Sequence, residues 1–294
     1  MGAPKIPEQL LGRPFTLAQA RAAGLTGRAL QGGQWRRVLR GVWAHVDVSD
    51  SRELRLAAVL LVLPPDAVAR ELTAAWLYGA DVRRADDLDV HIYVPAGRRM
   101  RSRDGLVVSV AQLSDADIFV YRGLRVTSGV RTVFDCLRLA DETEALVAAD
   151  ALLHLQCTRL DDVTDYISRT HRVRNSQLAL TRLRLAEPKT ESPMETRLRL
   201  LLLRAGLPPP QAQWVVRENG RFVARLDFAW PSVCVAIEYD GAEHWGQRRH
   251  DDRRRAAARA LGWHIDVVSA EDYYRTPDEI VDMVRRALAG RGLR

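Results

Sequence analysis

Four carboxylates in the last third of the 294-residue chain, Glu195, Asp227, Glu238 and Asp240, have the types and spacing that point most directly to chemistry. Carboxylates gathered in one place repel one another unless a cation sits among them, and an all-oxygen donor set suits Mg2+ or Mn2+ rather than zinc. A divalent ion held there would polarise a phosphoryl oxygen and lower the pKa of an attacking water, as phosphodiester hydrolysis requires. In such a centre Asp227 and Glu238 are direct ligands, while Asp240 and Glu195 hold metal-bound water. Acidic groups in phase on a half-buried sheet also arise without any role, so this chemistry depends on the elements that position them.

Those elements can be read in order. SPMETRLRLLLLRAG is a helix capped by Ser192, with Pro193 at its first position and Gly206 at its end. Glu191, Glu195, Leu198 and Leu202 fall on one stripe of it by i, i+3 and i, i+4 spacing. QWVVR, FVARLDFAW and VCVAIEYDG are three strands joined by tight turns at ENGR and PS. A two-residue turn at Pro231 and Ser232 pairs Trp230 with Val233 and Asp227 with Ala236. Glu238 then lies on the Asp227 face at a diagonal of about 7 to 8 Å, with Asp240 beyond it. Leu226, Phe228, Val235 and Ile237 form the opposite, core face. DDRRRAAARALGW is a helix, HIDVVS a strand and PDEIVDMVRRALAG a last helix, so the order is αβββαβα.

The other end of the chain is basic. Residues 1 to 46 carry Lys5, Arg13, Arg21, Arg28, Arg36, Arg37 and Arg40 against Glu8 alone, a candidate footprint on phosphate. Thr16 caps LAQARAAG and Gly24 closes it, Thr26 caps a second short helix, GRALQ, and QWRRVLRGVWAHV reads as a small hairpin. Helix, turn, helix and basic hairpin make a winged helix. Arg28 and Gln31 would face bases, while Arg36, Arg37 and Arg40 touch backbone phosphates. Between the two ends, Ser51 to Tyr78 has helical spacing, with Leu56, Val59, Leu60 and Leu63 on one side before Pro64 and Pro65 interrupt and a second helix around Ala67 to Leu77. LDVHIYVP and GLVVSV are strands, GLRVTSGVRTVFDCLRLA turns from strand to helix at Ser128, and Glu142 to Leu185 is helical. No catalytic constellation emerges in this middle stretch: Asp135, His154 and His171 are isolated.

Two resemblances extend this reading. The segments TLAQARAAGLTGRAL and RRVLRGVWAHV resemble the amino-terminal winged helix of AbiEi-type antitoxins, and ELTAAWLYGADV with GLRVTSGVRTVFD resembles the middle of AbiEi-like proteins. The segments SPMETRLRLLLLRAGL, FVARLDFAWP, VAIEYDGAEH and DDRRRAAARALGWHI resemble the PD-(D/E)XK nuclease superfamily, in the branch related to the very short patch repair endonuclease. That resemblance implies metal ligation at Asp227, Glu238 and Asp240 and a histidine assisting hydrolysis at His244. The chain departs from the pattern where Asp240 replaces the usual lysine. Its only lysines, Lys5 and Lys189, lie outside the sheet. His244 is then the candidate to orient water or touch phosphate, with Arg248 and Arg254 next. The run QRRHDDRRR is either a solvated helix face or a clamp on the DNA backbone.

The expected fold is α+β and multidomain: a winged helix with connecting helices over residues 1–80, an α+β module over 81–186, and an αβββαβ restriction-endonuclease-like domain over 187–294. A formal charge of +7 favours a polyanionic partner. Cys136, Cys157 and Cys234 are odd in number and widely spaced, which supports neither a disulfide framework nor a zinc knuckle and fits the cytoplasm. The longest apolar run, Leu56 to Leu63, falls far short of the roughly 20 residues that span a bilayer. Two functions remain open. One is a Mg2+- or Mn2+-dependent DNA endonuclease of repair or defence. The other is an antitoxin-like regulator that binds its own promoter, partners a cognate toxin and carries an inert nuclease-like tail.

Overall fold

The computed structural model describes residues 7–121, 123–241 and 245–293, and the side chains of 245–251 are not described. His244 and Lys5 lie outside the described residues, as does the side chain of Arg248. The chain is mixed α and β, with three sheets and eleven helices among the described residues, and it divides into two compact units, 1–135 and 136–294.

Unit 1 begins with a three-stranded sheet ordered β1-β3-β2, from β1 (Phe15–Thr16), β2 (Trp35–Leu39) and β3 (Val42–His45). Helix α1 (Leu17–Ala22) starts at Thr16 in a full capping box with Gln19, which satisfies donors at the helix start reciprocally. Phe15 meets Trp35 edge to face at 5.1 Å, and the pair packs with Leu10, Ala20 and Leu30. The second expected helix, GRALQ, is instead a single 3-10 turn, Ala29–Gln31. The four residues between Gly27 and the Gly32-Gly33 pair are too few to propagate an α-helix, whose nucleation is costly.

Helix α2 (Arg52–Leu60), capped by Ser51, lies over a five-stranded mixed sheet ordered β6-β5-β4-β8-β7. Its strands are β4 (Val68–Ala69), β5 (Val90–Val94), β6 (Leu106–Val110), β7 (Ile118–Tyr121) and β8 (Leu124–Thr127). The expected helix from Ala67 to Leu77 is therefore divided. Val68 and Ala69 pair with β5 and β8, Arg70 is extended, and only α3 (Glu71–Leu77) is helical. Hairpin residues Val38 and Val42 share one core with Leu54, Val59, Ile92 and Leu106. Gly105, at φ +76°, faces this core: an added Cβ would stand 2.7 Å from Leu39 Cδ2 and 2.9 Å from an Arg55 guanidinium nitrogen. Gly105→Ala should therefore destabilise unit 1 by about 1–3 kcal/mol. Equilibrium denaturation measures that loss, and a gain in stability would show that the turn relaxes freely.

Under β5 lies a polar cluster. Arg70 pairs with Glu71, donates to Ser109 Oγ at 2.9 Å and stacks 4.8 Å from the Tyr93 ring, while His91 Nδ1 is 3.1 Å from Glu71 Oε2. Arg131 lies 5.2 Å from the centroid of the same ring and is bound to Asp135 at 2.9 Å. Burial, reinforced by Arg70, pushes His91 down to about 4.

Helix α4 (Gly129–Leu137) leads into unit 2, which contains α5 (Glu142–His154), α6 (Leu160–Arg169), α7 (Ser176–Leu183) and α8 (Pro193–Arg204). There follow β9 (Gln211–Glu218), β10 (Arg221–Trp230), β11 (Val235–Tyr239), α9 (Trp245–Ala260), β12 (His264–Val268), α10 (Ala270–Arg275) and α11 (Pro277–Gly290). The sheet order is β12-β11-β10-β9, antiparallel except for the parallel pair β11 and β12. Asn219 and Gly220, both at positive φ, make the expected tight hairpin turn. One sheet face is covered with Leu198, Leu202, Ile280 and Val284, and the other with Ala258 and Trp263. Asp150 of α5 is fully buried and accepts from the backbone N–H of Glu187 at 2.8 Å, from Thr196 Oγ1 at 3.0 Å and from Arg199 at 3.1 Å, fastening α5 to α8.

Candidate acidic site and nucleic-acid interface

The turn between β10 and β11 is longer than two residues. Pro231–Val233 form a 3-10 turn and Cys234 adopts a left-handed conformation, so Trp230 pairs with Val235 and Phe228 with Ile237, not Trp230 with Val233. The next position along each strand places Asp227 beside Glu238 rather than diagonal to it. Because the register moves by two residues, the face is preserved and the two carboxylates stay in phase. The expected core face needs a second correction. Phe228, Val235 and Ile237 share one core cluster, whereas Leu226 belongs to the other. Gln213, whose neighbours Trp214 and Ala212 pair with Leu226 and Phe228, has φ +53°. The β9–β10 ladder is interrupted there, opposite Asp227.

Helix α8 brings in Glu195. Ser192 Oγ accepts from the Glu195 backbone, and Glu195 Oε2 accepts from the Glu191 backbone at 3.0 Å and from Gln213 Nε2 at 2.9 Å. Asp227 Oδ2 accepts the Tyr239 N–H at 2.9 Å. Glu238, only 1% exposed, receives Arg255 Nε on Oε2 at 2.6 Å, with Arg254 3.7 Å from Oε1. Burial first, and then the Glu195 charge, push Asp227 up to about 7; Glu238 adds to the rise, while the Tyr239 N–H and Arg254 oppose it. Asp240 is half-buried, and its backbone N–H closes on Val268.

Glu195, Asp227 and Glu238 are thus close enough to feel one another. Among the described residues, however, no three His, Cys, Asp or Glu side chains converge to hold a metal ion. Each of the three carboxylates has an oxygen committed to an N–H donor of the chain, and the donors on Glu238 are cationic. Glu238 Oε2 is thus taken by Arg255, while Glu238 Oε1 is buried with no hydrogen-bond partner among the described residues and has Arg254 3.7 Å away. Arg255 and Gln213 were not singled out from the sequence. Arg255 is hidden in a run of three arginines, although its i, i+3 relation to buried Ala258 places it on the inward face of α9. The run itself divides: Arg253 is exposed, while Arg254 and Arg255 turn toward Glu238.

At the basic end, Arg28, Gln31, Arg37 and Arg40 are exposed, and Arg40 occupies the hairpin turn with Gly41. Arg36 is half-buried, donating to the Val48 carbonyl at 2.8 Å and lying 3.8 Å from Asp50. It is spent on holding the hairpin against the following loop.

Two uncharacterized proteins of Mycobacterium tuberculosis, MT2308 of strain CDC 1551 / Oshkosh and Rv2248 of strain ATCC 25618 / H37Rv, are each 32% identical to this chain over 253 residues, 84% of it and 91% of theirs. The chain belongs to the same family as these two proteins. Residues 67–183 also match the model of the AbiEi antitoxin C-terminal domain. That match runs from the residue before β4 to the end of α7, so it contains the Arg70–His91 cluster and Asp150 and stops short of Glu195. The crystal structure of the RV2827C protein from Mycobacterium tuberculosis superposes with a TM-score of 0.40 at 15% identity, over 71% of this chain and 84% of that one.

Proposed function

We propose that this protein is an antitoxin-type regulator that binds DNA upstream of its own gene in the cytoplasm, and that its carboxyl-terminal domain is nuclease-like and inert. The match of residues 67–183 to the AbiEi antitoxin C-terminal domain carries this reading, and a cognate toxin is the partner it implies. The exposed Arg28, Arg37 and Arg40 around a winged hairpin supply the contact with phosphate. With one 3-10 turn in place of a recognition helix, backbone contacts supply most of the affinity and base contacts little of it.

Two measurements test this. Removing Arg37 and Arg40 should weaken binding to the upstream duplex and lower the salt slope of log affinity by about 1 for each arginine lost. Unchanged affinity and slope in Arg37→Ala with Arg40→Ala would remove the hairpin from the interface. The neighbouring gene gives an independent check, since a nucleotidyltransferase toxin beside it favours this function.

A second reading, a Mg2+- or Mn2+-dependent endonuclease with Asp227, Glu238 and Asp240 as ligands, Glu195 holding metal-bound water and His244 assisting, draws support from the proximity of Glu195, Asp227 and Glu238. Cutting of plasmid or mismatched DNA that is lost in Asp227→Ala would favour it over the first.

A further inference from the structure

We propose that Arg255 is the resident cation of the acidic centre, a guanidinium standing on Glu238 where a divalent ion would otherwise be needed. The inference rests on the reading of that domain as nuclease-like and inert. Glu238 is 1% exposed and Glu195 6% exposed, and buried carboxylates are strongly disfavoured without a counter-charge or hydrogen bonds. Arg255 supplies the charge, donating from Nε to Glu238 Oε2 at 2.6 Å. Its guanidinium is steered from the other side by Asp252, 3.7 Å away on the preceding turn of α9. The helix is anchored one turn further on by Ala258, which is fully buried against Leu226, Ala236 and Trp263. Arg254 adds a second positive charge 3.7 Å from Glu238 Oε1. The other two carboxylates are met by neutral donors, Glu195 by Gln213 Nε2 and the Glu191 N–H, Asp227 by the Tyr239 N–H. A metal ion approaching Glu238 Oε2 must displace this guanidinium, and one approaching Oε1, which has no hydrogen-bond partner among the described residues, meets the Arg254 charge 3.7 Å away.

The test is thermal unfolding and calorimetry on the full chain, using Mn2+ alone as probe. Wild type should melt at the same temperature in chelator and in millimolar Mn2+, and should give no binding heat. Arg255→Gln should melt about 6–12 °C lower in chelator. Mn2+ should restore part of that loss, and the restoration should vanish in Arg255→Gln with Glu238→Gln. Arg255→Lys, which keeps the charge, should lie between. If Arg255→Gln does not fold, the wild-type calorimetry still decides, because Mn2+ binding at micromolar affinity overturns the assignment. Equal melting of Arg255→Gln and wild type in chelator also overturns it. A wild type that binds Mn2+ but cuts no DNA removes Arg255 from this role and leaves the domain inert; one that cuts DNA with Mn2+ overturns both readings.

Discussion

Asp150→Ala should lower the stability of unit 2 by about 3–5 kcal/mol, because it leaves the Arg199 guanidinium buried without its counter-charge. Arg199 is 6% exposed, and Thr190 and Thr196, which complete the network, are 2% and 1% exposed, so water does not reach the groups left behind. The loss also falls on the Glu187 N–H, which donates to Asp150 Oδ1 and fixes the start of the 187–192 connection into α8. Urea denaturation monitored in unit 2 should show the midpoint shifting with little change in slope. A loss below about 1 kcal/mol would mean that the pocket refills with solvent. The same residue gives a pH dependence. Burial pushes Asp150 up to about 6 despite Arg199, so its folded value lies above its unfolded one. The proton-linked part of its contribution is then fully present below pH 4 and is lost as the pH rises through about 6, so Asp150→Ala is compared above that pH, where the ionised carboxylate is the counter-charge of Arg199.

Unit 1 should respond to pH in the opposite sense. His91 falls to about 4 because its ring is buried and because Arg70 and, less, Arg83 repel a protonated ring, against the opposing pull of Asp87 and Asp89. A histidine whose folded value lies below its unfolded one stabilises above pH 6.5 and loses that contribution as the pH falls toward 4. The shift corresponds to about 3 kcal/mol. Hydrogen exchange of the β5 and β6 amides, followed from pH 7 to pH 4.5 and corrected for intrinsic rates, should therefore show progressive opening. His91→Gln should flatten that acid limb, and an unchanged limb would assign the loss to other groups.

What the sequence revealed follows from how local the signal is. The caps at Thr16 and Ser192, the Asn219-Gly220 turn and the αβββαβα order of the last third are specified by neighbouring residues, and the structure contains them, with the short α10 inserted before the last helix. The Pro231 turn is different, because a cysteine at φ 49° carries no sequence signature of a left-handed residue. Asp227 and Glu238 nonetheless stayed in phase, since a shift of two residues cannot change a strand face. Gln213 breaks the β9–β10 ladder through a backbone conformation that its type does not announce. The Asp150–Arg199 pair spans 49 positions, and Arg255 looks like any other arginine until α9 is packed. Arg255, which meets Glu238, was therefore illegible, while Arg254 and the carboxylates themselves were plain.

Footprinting the purified chain on the duplex upstream of its own gene, in the presence of Mg2+, distinguishes a regulator that binds DNA from an enzyme that cuts it. The expected result is a protected segment that contracts or disappears with Arg37→Ala and Arg40→Ala, on DNA that remains intact over hours. Cleavage that depends on Asp227 and Glu238, or no protection at any salt concentration, would contradict it.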